Sequence, residues 1–367
     1  MDTTTAGSEM APKRISAASV ARACGVSAAT VSYVMNGQSG VSAETRRRIT
    51  QTAAELGYRP ATGARRDPLL TQVVGLILPN IVNPLYTGWA QRIISVTRDE
   101  GFDVFVAATQ DDPDALAQVA ATFAARDVDG IIVAALMRRD LRALRVFRQK
   151  RIPVVCLSRS ADELQGDYVG IDFEASASEL MEHVLSHGYR DIATVIGPRF
   201  CTASLEREKA FVRTAANAGV VVEGARKISI RPDSAGGRAA AKSLLGSPRP
   251  PRAVVCGSDA IAIGVMEYAL SVGLRIPEDL AVVGSDGLPH SRSALISLTT
   301  VVQPMKEMAE RSFELLRDQI THHRSTYQHV ICKHRIHIGR TCGCPTVRPD
   351  STVGCHVKGT APELVSP

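Results

Sequence analysis

From position 73 onward, short unbroken apolar runs alternate with longer stretches whose apolar residues recur every three or four positions. Val73-Val74-Gly75-Leu76-Ile77-Leu78-Pro79 is the first such run, and residues 86–100 form the first helix-period stretch. The switch in period separates a buried strand from an amphipathic helix. The same alternation predicts strands at 102–107, 131–133, 154–157, 168–171, 192–196, 226–230, 253–256, 280–283 and 330–338. Helices are expected between them at 114–125, 141–150, 175–187, 205–218, 235–245, 260–272 and 305–320. Strands with no polar side, each followed by a helix, imply parallel sheets covered on both faces. Two such series, each roughly 100–150 residues, imply two lobes. A ligand cleft is then expected at the carboxyl ends of strands.

Before residue 60 the pattern is different. Ser16 is the expected cap of a helix over Ala17–Cys24, with Val20, Ala21 and Cys24 inward. Ser27 caps a second over Ala28–Met35, with Val31, Val34 and Met35 inward. Ser42 caps a third over Ala43–Leu56, with Ile49, Ala53 and Leu56 inward. Gly25 sits at the first turn, and Asn36-Gly37 is a stop signal for the second helix. Three short helices with a glycine turn read as a helix-turn-helix, whose second helix enters the DNA major groove. Ala28, Ala29, Ser32 and Tyr33 remain on its outward side. Alanines contact thymine methyls, and Ser and Tyr reach base edges or phosphates. Ser16, Arg22 and Ser27 suit phosphate contacts, and would serve equally as caps and solvated charge. The competing reading of the module is a small helical cap on a globular protein.

Charge placement favours the DNA reading. The net charge is +6, and residues 1–66 hold nine Lys and Arg against four Asp and Glu. Nearly all the excess therefore lies in the module, as nucleic-acid binding by that part alone requires.

The expected organisation is a helix-turn-helix domain at 13–58, a linker or hinge at 59–71, a two-lobed body at 72–345 and a loose tail at 346–367. No run of about 18 apolar residues signals a membrane span. Met1–Pro12 lacks the basic start and apolar run of a secretory signal, so the cytoplasm is the expected compartment. Eight cysteines are present, and Cys24, Cys156, Cys201 and Cys256 fall in core elements. Disulfides are not expected in that compartment.

Cofactor-bearing or catalytic signatures are missing. There is no Gly-x-Gly-x-x-Gly after a strand, no Walker A sequence and no Gly-x-Ser-x-Gly elbow. A His- and Cys-rich segment carries His322, His323, His329, Cys332, His334, His337, Cys342 and Cys344. Cys342-x-Cys344 is tighter than the usual zinc pair, and His334 and His337 alternate awkwardly across a strand. No cofactor and no metal are expected.

A resemblance adds to this reading. Val20-Ala21, Gly25-Val26-Ser27 and Thr30 to Gly37 resemble the headpiece of the lactose-repressor (LacI/GalR) family. Val41 to Arg46 and Glu55 to Pro60 extend the likeness. In the body Asn83-Pro84-Leu85-Tyr86, Val169 to Asp172, Gly188 to Ala193, and Ser204 with Arg207 and Phe211 fit as well. So do Gly257 to Gly264, Gly273 to Asp279, Val282 to Asp286 and Leu298 to Pro304. The resemblance covers residues 13–345.

It implies an α/β chain: a three-helix headpiece followed by a periplasmic-binding-protein-like body of two parallel-sheet lobes. That body would bind a small effector and dimerise. Arg207 and Asp286 match positions that contact effectors in the family. Their chemistry agrees: a carboxylate at a strand end accepts two hydrogen bonds from a sugar-like diol, and a guanidinium offers five donors. A structural salt bridge is the competing role. Ser258, Asn83, Tyr86, Gln303 and the loop aromatic Phe200 complete the candidate set, whereas Asp259 reads as a helix cap and Trp89 as core.

The reading is a homodimeric, sequence-specific transcription regulator, a repressor of a pseudo-palindromic double-stranded DNA operator. A sugar or related metabolite would control it, and no membrane is involved. The alternatives are a solute-binding protein of a transport system and an α/β enzyme. The linker departs from the family pattern: Ala61 replaces an expected Asn, Gly63 interrupts the would-be hinge helix, and Asp67-Pro68 stands where a wedge leucine is usual. A poorly formed hinge helix follows, with Arg65 and Arg66 still tracking the minor groove.

Overall fold

The structure, a computed structural model, describes residues 16–35, 40–56, 70–161, 166–322, 324 and 326–344. The N-terminal arm, the Asn36-Gly37 stop, nearly all of the linker with Arg65, and the 346–367 tail lie outside the described residues.

The headpiece holds α1 (Ala17–Cys24), α2 (Ala28–Met35) and α3 (Ala43–Glu55). Val20, Val31 and Ile49 are fully buried together, with Ala21, Cys24, Val34 and Ala53 around them. Each large aliphatic buried this way contributes roughly 1.5–3 kcal/mol. Two of the three expected caps form: Ser27 Oγ accepts from the Thr30 N–H at 3.0 Å, and Ser42 Oγ from the Thr45 N–H at 3.3 Å. The cap assigned to the Ser16 hydroxyl does not: its Oγ meets Ser19 Oγ at 3.2 Å instead. Gly25 takes φ +62° at the turn, a conformation that favours glycine.

The body begins with β1 (Val73–Leu78), α4 (Pro84–Asp99), β2 (Asp103–Ala108) and α5 (Pro113–Ala125). It continues through β3 (Gly130–Val133), α6 (Arg142–Gln149), β4 (Val154–Leu157) and β5 (Asp167–Ile171). The second lobe runs from α7 (Phe173–Ser186) through β6 (Ile192–Ile196), α8 (Thr202–Asn217), β7 (Lys227–Ser229) and α9 (Ser234–Leu245). It then adds β8 (Ala253–Cys256), α10 (Asp259–Ser271), β9 (Ala281–Asp286) and β10 (Thr299–Val302). The chain returns through α11 (Met305–His322), which packs on β3, β4 and β5, and ends in β11 (His329–Cys332) and β12 (Arg335–His337).

Two sheets result, ordered β11-β5-β4-β3-β1-β2 and β12-β10-β9-β8-β6-β7. All pairings are parallel except β10 with β12. The chain therefore passes between lobes three times: after β5, after β10, and between β11 and β12. Among the described residues no helix is long and apolar enough to cross a membrane.

Three expectations need correction. The single strand at 330–338 is two strands in different sheets, because Lys333-His334 carries the chain from one lobe to the other. Thr299–Val302 is a strand that the apolar pattern missed; its two threonines are buried because their hydroxyls bond inside the lobe. Finally, β2 is not covered on both faces: as an edge strand it leaves Phe105 and Val106 exposed.

Candidate effector cleft and DNA-reading helix

The carboxyl ends of the strands bring the expected polar residues together. Asp286 is the last residue of β9 and pairs in register with Val302, the last of β10. Gln303 follows at the lobe crossing, and its Nε2 donates to Asp286 Oδ1 at 2.9 Å. Arg207, in the second turn of α8, brings Nη2 to 4.0 Å from the same oxygen. That gap is too long for a hydrogen bond. The Arg207 guanidinium lies instead over the Phe173 ring, 4.5 Å from its centroid. Asp286 Oδ2 and Gln303 Oε1 are buried and without a hydrogen-bond partner. Burial, and then the charge of Asp259, raise the Asp286 carboxyl well above the ordinary carboxylate range, with Arg207 opposing. Its backbone takes φ +139°, a strained choice of the kind that clusters at ligand sites.

Around this group lies a pocket of about 40 Å³ reached by both lobes. Asn83, Tyr86, Ser258 and Gln303 line it with Arg207 and Asp286. An adjoining cavity of about 780 Å³ shares Asn83, Pro198 and Pro232 with it and is lined by Phe200. Three hydrogen bonds cross between lobes nearby. Asn83 Nδ2 donates to the Pro232 carbonyl at 3.4 Å, the Arg138 N–H to Phe200 at 2.9 Å, and the Ser160 N–H to Thr202 Oγ1 at 3.1 Å.

Some members of the set have structural duties. Ser258 is the N-cap of α10, accepting from the Ile261 N–H at 3.2 Å. Asp259, expected as that cap, lies in the first turn, where it accepts from Thr300 Oγ1 at 2.5 Å and the Leu288 N–H at 2.8 Å. Tyr86 is buried, which pushes its phenol up to about 12 against the Arg159 cation. Asn83 Oδ1 accepts from the Leu85 N–H at 3.0 Å at the start of α4.

The sequence reading passed over Arg159 and took Trp89 as core only. Arg159 is a buried cation bonded to Asp111 Oδ1 at 2.5 Å and to the Tyr86 hydroxyl at 2.8 Å. A charge two residues after the apolar strand Val154–Leu157 was the available signal. Trp89 is core, as expected, yet it also lines the pocket and leaves its indole N–H unpartnered.

In the headpiece Ala28, Ala29, Ser32 and Tyr33 are all exposed on α2, as are Ser16, Arg22 and Ser27 beside them. Tyr33 is 51% exposed, a large aromatic left open to solvent.

The comparisons with known proteins decide the family. Residues 18–61 match the helix-turn-helix domain of bacterial regulatory proteins of the lacI family, and residues 181–342 match a periplasmic binding protein-like domain. The HTH-type transcriptional regulator DegA of Bacillus subtilis (strain 168) is 32% identical over 301 residues, 80% of this chain and 88% of DegA. The chain belongs to the lacI family of bacterial regulatory proteins. The HTH-type transcriptional regulator MalR of Streptomyces coelicolor is 31% identical over 312 residues, 83% of this chain and 89% of MalR. Among solved structures, the transcriptional regulator CelR in complex with cellobiose is similar with a TM-score of 0.68 at 26% identity. That likeness covers 89% of this chain and all of CelR. This lacI-family chain is thus an HTH-type transcriptional regulator and not an enzyme.

The metal expectation meets a different geometry. His334 lies 3.2 Å from Glu179, and His337 lies in β12. Cys342 and Cys344 converge instead on His183 and His187 of the α7 end, all four ligand atoms lying within 4.8 Å of one another. Burial and the His187 ring push the His183 imidazole down to about 4, and burial lowers His187 as well.

Proposed function

We propose that this regulator is a homodimeric, cytoplasmic repressor that reads a pseudo-palindromic operator with Ala28, Ala29, Ser32 and Tyr33. Ser16, Arg22 and Ser27 then meet phosphates, and Arg65 tracks the minor groove. A sugar or related polyhydroxylated metabolite in the cleft of the body controls it.

The observation that carries the effector assignment is the 4.0 Å gap between Arg207 and Asp286, bordered by the unpartnered Asp286 Oδ2 and Gln303 Oε1. Unpaired buried polar atoms are costly, so the site suits an occupant that both donates and accepts hydrogen bonds. Sugar hydroxyls do both, and the similar CelR structure is a cellobiose complex. Ser258, Asn83, Tyr86, Phe200 and Trp89 supply the remaining polar and apolar walls.

Small-molecule sites span roughly 300–1,000 Å³. The 40 Å³ pocket at Arg207 is too small, and the 780 Å³ cavity beside it is large enough. An effector reaching Asp286 must therefore part the lobes across the Asn83–Pro232, Arg138–Phe200 and Ser160–Thr202 bonds. An effector with different affinities for the parted and closed arrangements shifts their populations. The linker passes that shift to the headpiece. On the sequence alone, Gly63 and Asp67-Pro68 disfavour a helix in the linker, so a small DNA bend is expected. The exposed apolar side chains of edge strand β2 support a second copy as the dimer partner.

The test is thermal denaturation of the full-length protein with hexoses, pentoses, disaccharides including cellobiose, nucleosides and purines. A ligand at about 100 times its Kd adds about 2.7 kcal/mol to stability. Stabilisation by one sugar supports the reading, and stabilisation by purines or nucleosides alone overturns the effector class.

A further inference from the structure

A second cluster of chemistry-bearing side chains lies in the second lobe, away from the effector cleft. The cleft is at the carboxyl ends of the strands, whereas this cluster meets the starts of β9 and β10. There the segment after β12 is stitched down: the Val282 N–H donates to the Thr341 carbonyl at 2.9 Å, and the Thr299 N–H to Thr341 Oγ1 at 3.0 Å. The next residues are Cys342, Gly343 and Cys344. Gly343 takes φ +96°, and a Cβ there would stand 3.1 Å from the Tyr189 hydroxyl. A glycine is thus required at the turn that sets both thiols towards α7.

Facing them are His183 and His187, one helical turn apart on the same face. Cys344 Sγ is 3.3 Å from His187 Nε2 and 3.8 Å from His183 Nε2, and the rings meet edge-on at 4.9 Å between centroids. A tetrahedral site with Zn–S of about 2.3 Å and Zn–N of about 2.0–2.1 Å separates its ligand atoms by about 3.3–3.8 Å. The four atoms here all lie within 4.8 Å of one another, so a contraction of about 1 Å closes the shell.

The surroundings of Cys342 match a thiolate. Thr299 Oγ1 accepts from the Gly339 N–H at 2.9 Å, which directs its own proton towards Cys342 Sγ, 3.0 Å away. Such hydroxyl donors orient and tune metal-bound sulfur. Cys342 is buried and Cys344 is partly exposed, which leaves an entry side.

We propose that His183, His187, Cys342 and Cys344 bind a structural zinc ion that fastens the end of the body to α7. Two thiolates with two imidazoles select zinc over the hard cations, and four protein ligands leave no open position for catalysis. Binding releases the two thiol protons to solvent. The cleft reading and this site stand independently.

The test uses the full-length chain, purified reduced and without chelators. Elemental analysis gives one zinc per chain, and replacement by cobalt gives the intense visible bands of a tetrahedral thiolate site. Cys344→Ser and His187→Asn each lose the metal, while Cys355→Ser keeps it. Thr299→Val, isosteric with the native residue, keeps the metal but weakens it about 10–100-fold in chelator competition. A reduced wild-type chain with neither zinc nor cobalt bands overturns the proposal. So does zinc retained in Cys344→Ser, or a Cys342–Cys344 disulfide found in place of the metal. The wild-type cobalt titration keeps the test decisive even if a variant fails to fold.

Discussion

Arg207 and Asp286 stop 4.0 Å apart in the cleft, both buried, each held by something else. The Phe173 ring carries the guanidinium, and Gln303 occupies the near carboxylate oxygen. The pair is therefore attracted without sharing a hydrogen bond, and the gap fits a hydroxyl that accepts from one and donates to the other. Losing a hydrogen bond to a charged group costs about 1.5–3 kcal/mol. Arg207→Ala and Asp286→Ala should each weaken the stabilising sugar by about ten- to a hundredfold in calorimetry, with Arg22→Ala unchanged as the control. Wild-type affinity in both cleft variants would remove the effector assignment.

The raised Asp286 carboxyl gives a pH signature. Ionising a carboxylate whose folded value lies above its unfolded one costs stability. Its contribution is complete below the unfolded value of about 3.9 and is lost as pH rises from there through the raised folded value. Asp286→Asn removes that loss. The melting temperature of the variant minus that of wild type should grow more positive from pH 5 to pH 8, measured calorimetrically without effector. A difference that stays flat or shrinks contradicts the burial argument.

Arg159 carries a second buried charge, with Asp111 as its carboxylate partner. Removing one member of a buried pair costs about 3–5 kcal/mol, because it strands the other. Asn tolerates the φ of +57° at this position, so Asp111→Asn isolates the charge. Its urea midpoint should fall by an amount worth about 3 kcal/mol. Adding Arg159→Met should recover part of the loss, and a double variant less stable than Asp111→Asn alone would show that the pair is not the cause.

The helix-turn-helix and most strands were legible because their burial repeats locally. Val154–Leu157 and Ala253–Cys256 were expected at their observed bounds, since a strand covered on both faces shows no polar break. Thr299–Val302 was hidden by its two hydroxyls, whose partners Asp259 and Cys342 are distant in sequence. The break after Cys332 was hidden too, because which sheet a strand joins is decided by its neighbours. In the cleft, strand ends and resemblance pointed to Arg207, Asp286 and Gln303, whereas Arg159 is buried by grace of Asp111, a contact that no local pattern carries. The meeting of His183 and His187 with Cys342 and Cys344 is equally non-local.

The headpiece carries the central claim, that the exposed face of α2 reads base edges. Base contacts discriminate between sequences, while phosphate contacts bind all duplexes alike. Losing one good base contact costs about 1–3 kcal/mol of discrimination. The direct measurement is fluorescence anisotropy at one fixed salt concentration, comparing wild type and Tyr33→Ala on operator DNA from the gene's own upstream region and on a random duplex. The expected result is an operator affinity about five- to a hundredfold weaker in Tyr33→Ala, with the random duplex bound as before. Equal losses on both duplexes, or none on the operator, would contradict the assignment of α2 as the reading helix.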